Sequence, residues 1–272
     1  MNRDGLGNDV VIVNDQRVFR FPKHAQAKQL LRKETRILAF VRQYVDMRLP
    51  VFTHVAEDFV AYDLIPGEGL HRNDILAQDA PIQERLAHQL AVFLRQLHTI
   101  PLPVLKKHNI PRSDAVRARR DWLQLFQDVE RDLFPFLSSF QQQWVRRHFD
   151  PVLDGRLRMA YTPVLIHGDL GAYHMLYDRT ARRITGVIDF GTAGLGDPAT
   201  DFASVIYAFG ESFLQRMTQF YPDIEQAIDR ARFRAGTLEL QWARIGVRTK
   251  DFSWLLAHLN GCGRDVMPIR SE

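Results

Sequence analysis

The stretch that decides the fold is Val164-Leu165-Ile166-His167-Gly168-Asp169-Leu170, followed by Ile188-Asp189-Phe190-Gly191. Each aspartate ends a short apolar run, Val164–Ile166 before the first and Ile184–Ile188 before the second. Such runs read as strands. Gly168 and Gly171 surround Asp169, so its carboxylate sits in a loop from which it can project. Met175–Tyr177 reads as a further strand between the two aspartates, and His174 stands five positions after Asp169.

Nearer the N-terminus, Val10–Val13 and Arg17–Phe21 read as two strands joined by a turn at Asn14-Asp15. Ala25–Val45 reads as a helix, because Leu30, Leu31, Ile37, Leu38 and Val41 recur at helical spacing. Val51–Val55 and Phe59–Ile65 are two more strands, and Pro66-Gly67 breaks the second. From Pro81 the pattern is helical, with further helices over Ser113–Leu133, Ser138–Phe149 and from Pro198 to Leu259. The expected architecture is α+β and bilobal: a small β-rich lobe over 1–66 and a larger, mainly helical lobe over 67–272.

Bulk composition narrows the function classes. The 272 residues carry 36 basic and 32 acidic side chains, a formal charge of +4. The basic groups, such as Arg117-Ala118-Arg119-Arg120, alternate with apolar residues as solvated helix faces do. No nucleic-acid partner is expected. No apolar stretch approaches the ~18 residues that span a bilayer, so no membrane partner is expected either. A single cysteine, Cys262, and an N-terminus without an apolar run suggest the cytoplasm.

The two aspartates suit phosphoryl transfer. That reaction needs a carboxylate to orient a hydroxyl and take its proton, and metal ligands to hold ions that bridge the phosphates. The kinase catalytic loop places a metal-binding Asn five residues after its catalytic Asp, and its second Asp is followed by Phe-Gly. Here His174 holds the first of these positions and Asp189-Phe190-Gly191 matches the second. Mg²⁺ prefers hard oxygen ligands. Asp189 meets that preference, whereas His174 offers an imidazole nitrogen, directly or through a water.

The stretch Val164–Phe202, with Gly196-Asp197-Pro198-Ala199-Thr200-Asp201-Phe202 closing it, resembles the aminoglycoside phosphotransferase family, which shares the bilobal protein-kinase-like fold. His174 in place of the usual Asn is similar to the aminoglycoside 2''-phosphotransferases and macrolide phosphotransferases. The N-terminal segments Val18–Lys23, Arg32-Lys33-Glu34 and Tyr62–Gly67 agree. The resemblance implies a phosphotransferase that moves the γ-phosphoryl of ATP or GTP to a small-molecule hydroxyl. It implies Asp169 as catalytic base and His174 and Asp189 as Mg²⁺ ligands. Glu34 would pair with a strand cation, Arg20 where most relatives have Lys, with Lys23 as an alternative. Gly5 and Gly7 stand where the phosphate-covering loop belongs, and Tyr62, Asp63 and Ile65 where the nucleotide base is held. Asp201 would brace the catalytic loop or contact the acceptor.

A polycationic aminoglycoside calls for acidic groups, and Glu239, in a helix with Trp242, is the preferred acceptor contact. The same region carries Arg232, Arg234, Arg244 and Arg248, so its charge is mixed. The expected activity is therefore an aminoglycoside kinase. The alternatives are a kinase of another small alcohol (macrolide, sugar, amino alcohol) and a non-catalytic nucleotide-binding module.

Overall fold

The computed structural model describes residues 7–253. Gly5, Trp254, Cys262 and the expected helix up to Leu259 lie outside the described residues. The chain divides into two compact units.

The first unit comprises Met1–Ala115 and Pro163–Gly196. Its sheet has strands β1 (Asn8–Val13), β2 (Arg17–Pro22), β3 (Phe52–Val55) and β4 (Val60–Asp63), antiparallel in the order β1-β2-β4-β3. Asn14 and Asp15 turn the first hairpin with left-handed φ of 53° and 50°, a conformation these residues tolerate better than most. Period-two alternation turns Val18 and Arg20 inward on β2 and leaves Arg17 and Phe21 exposed.

Helix α1 (Ala25–Val41) starts where His24 caps the Ala27 N–H. It buries Leu31, Glu34, Ile37, Leu38 and Val41. It stops four residues short of the expected Val45. β5 (Glu68–Gly69) pairs with β7 (Met175–Asp178), which pairs with β8 (Arg183–Val187), while β6 (Val164–Ile166) pairs with β9 (Gly194–Gly196).

Helices α2 (Arg72–Leu76), α3 (Ala80–His98) and α4 (Leu102–Lys107) complete the unit. α3 buries Leu86, Leu90, Phe93, Leu94 and Leu97, the periodic face expected from sequence. Burying each such side chain contributes about 1.5–3 kcal/mol.

The second unit comprises Val116–Thr162 and Asp197–Glu272. It holds α5 (Arg119–Leu133), α6 (Ser139–Leu153), α7 (Ala199–Phe209), α8 (Glu211–Thr218) and α9 (Ile228–Thr249). Trp122, Leu125, Val129 and Leu133 of α5 pack with Val145 and Phe149 of α6 and Phe233 and Leu240 of α9.

The helix expected from Ser113 begins only at Arg119, because residues 111–113 are taken by β9. Ser113 N–H donates to the Leu195 carbonyl, and Leu195 N–H donates to that of Pro111. The single run expected after Pro198 is broken instead at Gly210 and again at Tyr221-Pro222. Among the described residues no helix is long and apolar enough to cross a membrane.

Candidate active site

Both aspartates stand where their strands end. β6 delivers His167-Gly168-Asp169, and β8 delivers Asp189 two residues past Val187. Gly168 has φ +82°, and a Cβ there would lie 2.8 Å from Ser113 Oγ and 3.1 Å from the Thr192 carbonyl oxygen. Only glycine lets the chain turn so closely against these groups. Asp189 itself holds a left-handed conformation, φ 65° and ψ 68°. A non-glycine residue there costs on the order of 1–3 kcal/mol, and such strain gathers at functional sites.

Two histidines tie the loops together. His167, fully buried, has Nε2 3.1 Å from the Ile188 carbonyl oxygen and accepts the Asp169 N–H on Nδ1 at 3.3 Å. That pair of contacts fixes the tautomer, with the proton on Nε2. His174 has Nδ1 2.8 Å from the Asp169 carbonyl oxygen, so Nδ1 donates. Its Nε2 lies 3.6 Å from Asp189 Oδ2. The His174 carbonyl accepts the Ile188 N–H at 2.9 Å.

The carboxylates of Asp169 and Asp189 keep 48% and 40% of their side-chain surface exposed, while His174 keeps only 11%. Two open carboxylates thus stand on a buried imidazole frame.

The cation expected on β2 is present. Arg20 Nη1 donates to Glu34 Oε1 at 2.9 Å, and Arg20 Nη2 lies 3.6 Å from Asp189 Oδ1. Glu34 Oε1 also accepts the Phe190 N–H at 3.2 Å. Arg20, not Lys23, is therefore the partner of Glu34; the Lys23 ammonium lies 3.6 Å from Asp9.

Burial opposes the Arg20 charge, but Glu34 and Asp189 outweigh it and raise the guanidinium pKa. Burial pushes the Glu34 carboxyl up, against the pull of Arg20. Burial also opposes ionisation of Asp189, yet the Arg20 guanidinium, helped by the Gly191 N–H, holds it below the usual carboxylate range. Asp189 is thus poised as an anion.

The other expected positions are more scattered. Gly7 lies before β1, and its carbonyl accepts the Lys23 N–H at 2.9 Å. Tyr62 and Ile65 are buried, and burial pushes the Tyr62 phenol up to about 12. The Asp63 side chain is exposed and lies 3.3 Å from Arg17 Nε. In the second unit Asp201 is fully buried in the first turn of α7, and Glu239 is half-buried on α9. Asp197 accepts the Ala199 N–H at 3.0 Å and is clamped by Arg230 and Arg234.

Sequence reasoning assigned no role to three residues that frame the site. Thr192 Oγ1 donates to the His167 carbonyl at 3.0 Å, and Ser113 Oγ donates to the Thr192 carbonyl at 2.7 Å. His167 itself links both loops. No local signal marks such contacts, which join residues 21 to 79 positions apart.

This fold and this pair of loops define a phosphotransferase acting on a small molecule. Residues 2–235 match the model of the phosphotransferase enzyme family APH, and the chain belongs to that family. It is 28% identical to viomycin phosphotransferase of Streptomyces vinaceus over 207 residues, 75% of this chain and 69% of that one. Among solved structures it is similar to the GDP complex of aminoglycoside 2'-phosphotransferase-IIIa. That match has a TM-score of 0.84 and 27% identity, covering 97% of this chain and 90% of the other. The GDP and kanamycin complex of APH(2'')-IIIa gives a TM-score of 0.83 at 26% identity, covering 97% and 91%.

Proposed function

We propose that this enzyme transfers the γ-phosphoryl group of ATP or GTP to a hydroxyl of an aminoglycoside, with Mg²⁺ as cofactor. The observation that carries the reading is the single cluster formed by Asp169, His174, Asp189, Arg20 and Glu34. The GDP-bound relatives support a nucleotide donor, and the kanamycin complex supports the acceptor class.

The roles follow from the chemistry of each group. Asp169, open to solvent, accepts the acceptor hydroxyl's proton as its oxygen attacks the γ-phosphorus. The P–O bond to the nucleoside diphosphate breaks as the new one forms, so the diphosphate leaves. Little covalent work is asked of the protein; positioning and charge carry the rate. Arg20 presents a rigid cation, held by Glu34, to the donor phosphates.

The donor set fits a magnesium ion. Asp189 is an anionic oxygen ligand, and His174 Nε2 lies 3.6 Å from it. Mg²⁺ takes one or two protein carboxylates and fills the rest of its shell with water and phosphate oxygens. When bound, the ion would supply charge neutralisation on the phosphates.

The test is incubation with Mg-ATP or Mg-GTP and a panel of kanamycin- and gentamicin-type acceptors, read by mass spectrometry. Phosphorylation of at least one member, abolished in Asp169→Asn, is the expected result. A wholly negative panel would sink the aminoglycoside assignment.

One observation favours a second reading, a kinase of a less cationic alcohol. Many carboxylates of the second unit are matched by arginines: Asp197 by Arg230 and Arg234, Glu211 by Arg232, Asp128 and Asp132 by Arg244. A metabolite screen read by nucleotide consumption separates the two.

A further inference from the structure

The first unit holds a cleft of about 390 Å³ that contains none of the groups assigned to phosphoryl transfer. That volume lies within the roughly 300–1,000 Å³ of small-molecule pockets. Its walls come from α3, from the 46–48 loop after α1, from Pro66 and from the β7–β8 hairpin.

The walls are stitched by two glutamines of α3. Gln89 bonds the backbone of Ile184 in both directions: Ile184 N–H donates to Oε1 at 3.1 Å, and Nε2 donates to the carbonyl at 3.4 Å. Gln96 ties down the loop at Asp46. Its Nε2 donates to Asp46 Oδ2 at 2.6 Å and its Oε1 accepts the Asp46 N–H at 3.0 Å. Both amides are therefore spent on fixing the cleft's shape. Val92 and Phe93, between them on α3, supply apolar surface.

The charges of the lining are unevenly satisfied. Asp46 is engaged by Gln96, and Asp178 Oδ1 accepts the N–H groups of Thr180 and Ala181, both at 2.9 Å. Arg48 and Arg183 are exposed cations, and neither guanidinium meets a carboxylate among the described residues. An apolar wall beside two unspent guanidiniums suits an organic anion, because arginine binds carboxylates through two parallel hydrogen bonds.

The cleft also reaches the catalytic strand. The Arg48 carbonyl accepts the Val187 N–H at 3.0 Å, and a Cβ on Gly186 would lie 2.8 Å from that same oxygen. The loop and β8 are thus joined by a backbone hydrogen bond, and β8 ends two residues before Asp189.

We propose that this cleft is an effector site for a small organic monoanion with an apolar body, acting on turnover through β8. The site does not depend on which acceptor the enzyme phosphorylates.

The test uses full-length protein saturated with Mg²⁺ and a non-hydrolysable nucleotide. Benzoate and 4-phenylbutyrate are titrated by calorimetry, with benzamide as the uncharged control. The carboxylates should bind, the amide should not, and the double variant Arg48→Ala/Arg183→Ala should bind about tenfold more weakly, or worse, about 1.4 kcal/mol. Val92→Trp, which fills the cleft and leaves both arginines, should also abolish binding, and it serves should the double variant fail to fold. Bound probe should change nucleotide consumption at least about twofold in the wild type and not in the filled variant. Displacement of the probe by nucleotide, binding unaffected by either variant, absence of binding, or binding without any change in turnover would each overturn the proposal. Nucleotide consumption requires no assigned acceptor, so failure of the aminoglycoside panel leaves this test intact.

Discussion

His174 gives its two ring nitrogens to different loops: Nδ1 lies 2.8 Å from the Asp169 carbonyl oxygen, and Nε2 lies 3.6 Å from Asp189 Oδ2. One side chain therefore sets the spacing between the proposed base and the proposed metal ligand. Replacing it by Ala removes both the bond to the Asp169 loop and the nitrogen beside Asp189. Loss of a ligand or of its supporting contact costs roughly 10–100-fold in metal affinity or activity. His174→Ala should fall in that range and need more Mg²⁺ for half-maximal rate. His174→Asn restores a hard oxygen donor and should recover part of the loss. Rates measured across a magnesium titration check this; identical magnesium curves for wild type and His174→Ala would remove His174 from the metal site.

The Arg20–Glu34 pair separates stability from activity. Both side chains are almost fully buried, and their bond is 2.9 Å long. Removing one partner of a buried pair leaves an uncompensated charge and costs about 3–5 kcal/mol, whereas an apolar replacement of both is often neutral. Glu34→Ala should thus lower stability by about that amount. Arg20→Met/Glu34→Leu should recover much of it in urea unfolding and remain inactive, because the cation beside Asp189 is gone. A double variant with wild-type turnover would mean that Arg20 serves the fold alone.

Much of the site could be read from sequence because it rests on local pattern. Val164–Ile166 and Met175–Tyr177 are apolar runs with no competing helical period, and both are strands within a residue of the expected ends. What escaped depends on distant partners. Gly194-Leu195-Gly196 has too little apolar character to read as a strand, yet it pairs with β6. Ser113–Ala118 looks helical but is drawn off by that strand. α2 and α4, of five and six residues, are too short to show a period. Arg20 and Glu34 were brought together by resemblance, not by spacing. The link from His167 to Ile188 has no sequence signal at all.

Gly194 shows how tightly that hidden strand is seated. A Cβ there would lie 2.6 Å from both the Pro111 carbonyl oxygen and the Ser113 nitrogen, and neither backbone atom can swing aside. Gly194→Ala should destabilise by about 1–3 kcal/mol, the usual cost of overpacking. It should also slow turnover, because displacing Ser113 breaks its 2.7 Å bond to the Thr192 carbonyl next to the Asp189 loop. Ser113→Ala, which loses that bond and the one Oγ accepts from the Ala115 N–H at 3.1 Å, should cost about 1–2 kcal/mol. Paired urea melts and rate measurements test the order; equal stability of Gly194→Ala and wild type would contradict the close seating.

The second unit supplies a pH dependence of stability that is independent of catalysis. His148 stacks between Trp144 and Phe233, with ring centroids 5.0 and 5.2 Å away, and its Nε2 lies 2.9 Å from the Phe233 carbonyl oxygen. Burial pushes the imidazole down to about 4, against the pull of that carbonyl. The ordinary histidine value is near 6.5. Between the two values the unfolded chain binds a proton that the folded chain refuses, so stability rises with pH in that window. The contribution is intact above about pH 6.5, erodes as pH falls toward about 4, and is lost below it. From pH 7 to pH 5 the loss should be roughly 2 kcal/mol. Carboxylates with lowered values, Asp128 and Asp132, act only in more acid solution. His148→Phe, which cannot take up a proton, should flatten the wild-type slope between pH 7 and 5 in urea unfolding, whatever it does to absolute stability. A slope unchanged by that substitution would assign the acid sensitivity to another group.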